Sequence, residues 1–321
     1  MAVNYGELIA TTIEHRQSEV ADNVTKSRAL FYRLNEKGHK KTVAGGRSIY
    51  QPLEFTENGN FQWYSGGETL NTTQQEVMDV AEYAWKQAAC GVFATGLETD
   101  IQNAGKEQII DLLEARVKNA EKTVKNQLAT GVYSDGTASG GKQIGGLQLL
   151  VADTPTNTVG GINGSTYSWW RNISFDATTD GGSAMSASNA ISYMNRVYFQ
   201  LVRGEDKPDL VSADNNYFRF YMEALQPNAR FTNPKMADAG FTNIDYMGAP
   251  VVLDGGIGGS CPTNHMYFLN TDYIYLVAAK NRDFVAMKPR EAINQDATVR
   301  FLLWAGNLVV SNRSVQGVLK D

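Results

Sequence analysis

The sequence predicts an α+β fold, and three observations carry that expectation. Apolar residues recur at helical spacing from Leu97 to Leu128 with no proline in the run. The C-terminal half alternates short β-prone runs with glycine and asparagine turns, and no internal repeat links the two halves.

Taken in order, residues 1–37 carry two short, loosely periodic amphipathic stretches (Leu8, Ile9, Ile13, then Val20, Val24, Leu30, Phe31, Leu34). Such a segment cannot bury its apolar side alone and is expected to lie along another surface. Arg47 to Phe55 and Phe61 to Gly67 read as strands around the turn-forming TENGN, Thr56 to Asn60, because Asn58-Gly59 between β-prone runs is a strong hairpin signal. An isolated two-stranded hairpin is marginal, so it needs a partner surface. Asn71 to Gly91 fits both periods and is assigned to strand. A Leu97 to Leu128 helix of about 30 residues would be roughly 45 Å long, against a radius of gyration of about 20 Å for a compact chain of this size. The body is therefore expected to be flat or elongated.

Gly131 to Gly146 reads as a flexible connector. Beyond it, Ala187 to Leu201 reads as a helix and Tyr217 to Ala224 as a helix or a strand-to-helix passage. Met247 to Gly259 reads as a strand with a glycine loop, and Met266 to Ala278 and Arg300 to Leu319 as strands.

Composition restricts the function classes. The 321 residues are 42% hydrophobic and 20% charged, as in an ordinary globular chain. The strongest apolar run, Phe301 to Ala305, is far short of the ~20 residues of a membrane span, and the N-terminus lacks the pattern of a secretory signal. Cys90 and Cys261 lie far apart, as reduced thiols would, and His15, His39 and His265 are scattered, so no metal set and no cofactor are expected. The net charge of −5 argues against a nucleic-acid binder working through bulk charge.

That charge is uneven. Lys26, Arg28, Arg33, Lys37, Lys40, Lys41 and Arg47 are followed by Glu54, Glu57, Glu68, Glu76, Asp79 and Glu82. A basic arm before an acidic stretch is read as binding DNA, as pairing with an acidic face of another copy, or as a solvated surface.

Two motifs approach enzymatic patterns and fall short. Gly136 to Gln143 (GTASGGKQ) nearly spells a phosphate loop, but Gln143 stands where Ser or Thr would bind magnesium, and the segment follows a helix where the motif needs a strand. Cys261 and His265, with Asp272 downstream, suggest a thiol nucleophile, yet proximity in sequence does not set the imidazole on the sulfur, and Pro262 removes a backbone donor. A Cys-dependent hydrolase is accordingly the remaining enzymatic alternative to a non-enzyme.

The richest contact segment is Thr158 to Asn172 (TVGGINGSTYSWWRN), in which glycines permit tight turns that deliver Tyr167, Trp169 and Trp170 as packing surfaces beside Arg171. It resembles a segment of tailed-bacteriophage major capsid proteins, as does Ser260 to Leu276, and the resemblance extends over nearly the whole chain. It implies the Johnson fold, shared by the Hong Kong phage capsid and encapsulin shells. The implied parts are an N-terminal arm (1–37), an extended β-hairpin loop (38–72), a peripheral domain with a long spine helix (73–150 and 276–305) and an axial domain (151–275 and 306–321).

The resemblance also implies self-assembly of hexamers and pentamers into an icosahedral virion shell around double-stranded DNA, built in the host bacterial cytoplasm. The partners implied are the chain itself, portal and scaffolding proteins, a decoration protein and DNA bound without sequence preference, with no membrane. With the arm at its start, the chain is expected to lack a long built-in scaffolding domain. The residues expected to touch a neighbouring subunit are Lys37, Lys40, Lys41, Arg47, Trp63, Tyr64, Trp169, Trp170 and Arg171. An encapsulin-type compartment is the alternative within the same fold. Lys40 or Lys41 could supply the covalent cross-link some such shells use, but no motif singles them out, and noncovalent assembly is expected.

Overall fold

A computed structural model describes residues 29–98, 112–225, 243–255, 259–288, 290–291 and 295–321. Most of the expected arm (1–28), the first half of the expected spine helix (99–111) and part of the glycine loop (256–258) lie outside the described residues.

The described chain is α+β and is organised by two six-stranded sheets. In chain order its first half runs α1 (Ala29–Glu36), β1 (Lys40–Val43), β2 (Ile49–Glu54), β3 (Met78–Tyr83), β4 (Lys86–Thr95), α2 (Leu112–Gly131), β5 (Thr158–Val159), β6 (Ile162–Asn163) and β7 (Ile173–Asp176). The second half runs α3 (Ala190–Leu201), β8 (Leu210–Ala213), α4 (Asn215–Leu225), β9 (Asn243–Tyr246), β10 (Ala249–Leu253), β11 (His265–Leu269), β12 (Ile274–Ala279), β13 (Val285–Ala286), β14 (Arg290–Glu291), β15 (Ala297–Val310) and β16 (Gly317–Lys320).

The first sheet is built on β15, whose 14 residues pair with β4, β12, β13 and β14, while β1 adds in parallel to β12. The longest ladder runs antiparallel from Ala297 opposite Thr95 to Gly306 opposite Lys86. The second sheet has the order β7-β16-β11-β8-β10-β9.

After the long passage from β4 to β7, the chain returns between the sheets by two short crossings, from β11 to β12 through the turn Thr271–Tyr273 and from β15 to β16 through residues 311–316. Gln316 fastens the two crossings together: its side-chain oxygen accepts from the Asn270 N–H and its amide donates to the Asn270 carbonyl, both at 2.9 Å. Buried polar groups must be satisfied, and this reciprocal pair does so where neither sheet ladder can.

Helix α3 buries Ala190, Tyr193, Met194, Val197, Tyr198 and Leu201, one face at helical spacing, against the second sheet. Gly317 of β16 allows this approach, because a Cβ there would stand 2.7 Å from Leu201 Cδ1. Helix α4 opens on Asp214, whose carboxylate accepts the Tyr217 N–H at 2.9 Å, and it buries Tyr217, Phe218 and Tyr221 in the same core. A separate core lies around the first sheet and takes in Val124 and Leu128 of α2, together with Trp304 and Leu308.

Several sequence expectations require correction. Helix α1 does not wait for another surface: Ala29, Leu30 and Leu34 are buried in the chain's own first core. The length expected of the long helix is not among these corrections: its described part is 20 residues, about 30 Å, and residues 99–111 lie outside the described residues. Strand β2 pairs with β3, Ile49 opposite Tyr83 and Glu54 opposite Met78, and not with Phe61 to Gly67. The connector is not loose at its end. Gly146 donates to the Ser134 carbonyl at 3.0 Å, and a Cβ on it would meet two backbone oxygens at 2.4 Å, so the segment is folded back on the end of α2.

Candidate inter-subunit surface

One hairpin runs from Ile49 to Tyr83, past the boundary at residue 72 expected for the extended loop, and its register persists beyond the paired strands. Phe55 N–H donates to the Val77 carbonyl at 3.1 Å, the Asn60 side chain donates to the Thr73 carbonyl at 2.5 Å, and the Gln62 side chain donates to the Thr69 carbonyl at 3.3 Å. The reversal is at Ser65-Gly66-Gly67-Glu68, where the Glu68 N–H donates to the Ser65 carbonyl and the Glu68 carboxylate accepts the Ser65 N–H, both at 3.2 Å. Asn58-Gly59 makes only a local turn on one leg, in which Asn58 Oδ1 accepts the Asn60 N–H at 2.9 Å.

The hairpin has an inner and an outer face because strand residues alternate. Ile49, Leu53, Ala81 and Tyr83 point inward and are buried. Tyr50, Pro52, Val80 and Met78 share the outer face and are exposed, Met78 at 75%. Near the reversal Phe61 is 74% exposed and Trp63 90%, the two rings edge to face at 5.4 Å, with Tyr64 exposed beside them. Between Arg47 and Lys86 the chain holds six acids and no base. The result is an acidic hairpin whose outer apolar residues and end rings are uncovered among the described residues.

At the hairpin's root the tryptophan pair serves the chain itself. Trp170 is 1% exposed and its indole N–H donates to the Val159 carbonyl at 2.9 Å, which removes it from any contact surface. Trp169 stacks on Phe55 at 5.0 Å and Arg171 is tied to the Gly164 and Ser165 carbonyls at 2.6 and 2.9 Å. Gly160 adopts φ +60 against Ala81 and Tyr83, and its carbonyl accepts the Glu82 N–H at 2.9 Å, so the β5–β6 turn braces β3. Behind it the fully buried Arg313 donates to the Leu150 carbonyl and to the side-chain oxygens of Asn157 and Asn172 at 2.7 to 2.9 Å. Burial pushes its pKa down to about 10.

The basic residues also bind within the chain. Lys37 lies 2.6 Å from Asp209 and 2.8 Å from Asp272, and Lys40 lies 2.6 Å from Asp283. Lys41 sits 3.5 Å over the Tyr275 ring, on which His39 stacks; burial lowers the His39 pKa. These contacts clamp α1 and β1 to β12 and its preceding turn. Arg47 is exposed. The acidic partners are distant in sequence, which is why the charge runs alone left DNA, another copy and solvent all open.

Cys261 and His265 do not form a nucleophile–base pair. The sulfur lies 3.6 Å from the His265 carbonyl, whereas the ring contacts the Thr263 carbonyl through Nδ1 at 2.8 Å and the Asp153 carboxylate through Nε2 at 3.0 Å. Burial pushes the Cys261 thiol up, away from the reactive thiolate. Burial also opposes charge on His265, but its hydrogen bonds to Asp153 and Thr263, with the carboxylate's charge, outweigh it and raise the pKa. The phosphate-loop resemblance ends as a helical turn, Ala138–Gly141, with Ser139 at φ 56. Among the described residues no group of three or more His, Cys, Asp or Glu could hold a metal, and no helix is long and apolar enough to cross a membrane.

Two linked sheets, a helix on the first and a long projecting hairpin define the capsid-shell class of fold, and the chain has the fold of tailed-phage major capsid proteins. The cyanophage A-1(L) capsid subunit shares it at a TM-score of 0.66 and 15% identity, over 94% of this chain and 95% of that one. The structure of Mycobacterium phage Bobi shares it at 0.57 and 13%, over 96% of each chain. The holo-SrpI encapsulin complex of Synechococcus elongatus PCC 7942 does so at 0.57 and 10%, over 96% and 94%. No family model matches the chain, and no curated protein matches it in sequence.

Proposed function

We infer that the chain is a shell subunit, the major capsid protein of a tailed phage, which assembles as hexamers and pentamers into an icosahedral shell around double-stranded DNA. The observation that carries this reading is the hairpin, whose aromatic end and apolar outer face find no cover among the described residues. Exposed apolar surface of this kind marks an interaction site, and a head-to-tail contact between identical copies generates rings when its rotation closes. On this reading the function is geometric and requires no active site.

This reading divides the chain into an arm, an extended loop, a peripheral domain (73–150, 276–305) and an axial domain (151–275, 306–321), with later boundaries that fall within β12 and β15, the strands that adjoin the two short crossings. Trp63, Tyr64 and Arg47 are the contact residues this reading retains most directly. Portal, scaffolding and decoration proteins and packaged DNA are the partners it entails, with assembly in the host cytoplasm and the virion as destination.

Light scattering coupled to size exclusion, followed by negative-stain microscopy, tests the reading. Megadalton particles or capsomer-sized rings are expected, and a stable monomer across a wide concentration range would overturn it. The encapsulin likeness supports a second reading, a compartment enclosing protein cargo. Particles filled with protein in place of nucleic acid would select that alternative.

A further inference from the structure

The sequence contains two Asn-Gly pairs, Asn58-Gly59 and Asn163-Gly164, and the fold treats them differently. Both asparagines sit in the same local turn: Asn58 Oδ1 accepts the Asn60 N–H at 2.9 Å, and Asn163 Oδ1 accepts the Ser165 N–H at 2.8 Å. A donor on that oxygen polarises the side-chain carbonyl and stabilises the negative charge that would develop on it under attack.

The difference lies in the nucleophile. Gly164 is buried, its N–H donates to the Asn157 carbonyl at 3.2 Å, and a Cβ on it would stand 2.5 Å from the Pro155 carbonyl oxygen. Its nitrogen is held and cannot turn toward the Asn163 side chain. Gly59 is exposed on the hairpin leg, and an added Cβ there would meet nothing nearer than Gln75 Oε1 at 3.6 Å. Glycine's wide backbone freedom lets this nitrogen reach attacking geometries closed to other residues.

We propose that Asn58 is a self-modifying site, at which the Gly59 backbone nitrogen displaces the side-chain amide and water then opens the resulting ring to aspartate and isoaspartate. In the first step the N–Cγ bond forms and the Cγ–Nδ2 bond breaks. The proton lost from the Gly59 nitrogen leaves with the amide as ammonia. In the second, water adds to either carbonyl of the five-membered imide. No oxidant or reductant is involved. The product adds a carboxylate next to Glu57, a seventh acid on a hairpin that already holds Glu54, Glu57, Glu68, Glu76, Asp79 and Glu82 without a base.

The inference stands apart from the shell reading, because it is read on unassembled protein as readily as on particles. Purified protein is aged at mildly alkaline pH, and peptide mapping by mass spectrometry with enzymatic isoaspartate labelling follows both sites in one sample. Conversion at Asn58 is expected to be about tenfold or more faster than at Asn163, and about tenfold slower in Gly59→Ala, a barrier difference of roughly 1.4 kcal/mol in each case. Gly59→Ala fits the space available, and Asn163 in the same variant reports whether the fold is kept. An amide that persists at Asn58, equal rates at the two sites, or parental conversion in Gly59→Ala would each overturn the assignment.

Discussion

The aromatic cluster at the hairpin's end and the tryptophan pair at its root are alike in sequence, each a glycine-flanked group of large rings, and opposite in fate. Phe61, Trp63 and Tyr64 stand in solvent, whereas Trp170 is sealed in the first core and Trp169 is stacked on Phe55. The difference arises from what surrounds each group. The root cluster faces β2, β3 and the buried Arg313 network, while the end cluster sits on the outer part of the hairpin, where the hydrogen bonds of residues 58–75 stay within the hairpin. Aromatic content therefore marks contact, and only tertiary placement says whether the contact is internal.

Substitution should separate the two most sharply at Trp170. Trp170→Ala leaves a cavity and removes the indole's hydrogen bond to the Val159 carbonyl, and is expected to cost about 3–5 kcal/mol of subunit stability in denaturant titration. Loss of assembly without loss of stability would reverse the assignment. Trp63→Ala should do the opposite, changing the subunit's denaturation midpoint by no more than about 0.5 kcal/mol equivalent while weakening assembly by about 2 kcal/mol, read as a higher critical concentration for particles. A variant that unfolds the free subunit would make Trp63 a core residue.

The charged residues extend the same contrast. Lys37→Glu sets three carboxylates together with Asp209 and Asp272 and should lower the melting point of the subunit itself, by about 1 kcal/mol equivalent. Arg47→Glu, at the exposed foot of the hairpin, should leave melting unchanged and alter only the salt dependence of assembly. If the two exchange these behaviours, the clamp on β12 is not what holds α1.

The smallest effect expected is that of His265 with Asp153. Its pKa is raised in the folded protein above the ordinary 6.5, so the native state binds the proton more tightly than the unfolded chain. The stabilisation is complete below 6.5 and lost as pH rises through the folded value. Denaturant midpoints measured across that range should fall with pH in the parent and lose this slope in His265→Gln, with particle formation intact in both.

Local pattern made much of this legible. The apolar spacing of Ala190 to Leu201 and the runs that became β10, β11, β12 and β15 are properties of adjacent residues, and they folded as read. The hairpin was legible in existence but not in register. Asn58-Gly59 is the stronger local turn signal, yet the β2–β3 ladder fixes the alignment from the root and places the reversal at Gly66-Gly67. Similarly, no window around Lys37 contains Asp209 or Asp272, and nothing near Trp170 announces Arg313. Pairings set by chain crossings leave no local trace.

Strand β15 has a mechanical consequence. Its ladder with β4 runs lengthwise from Ala297 to Gly306, and on the other side Gly306 to Val310 continue against β12. A load applied along this strand strains many hydrogen bonds at once in shear, whereas a load across it would open them one by one. Stretching the wall of any assembly in which β15 lies in the plane therefore meets the stiffest direction of the subunit. Peeling from the hairpin, held at its outer end by a few side-chain bonds, meets the softest.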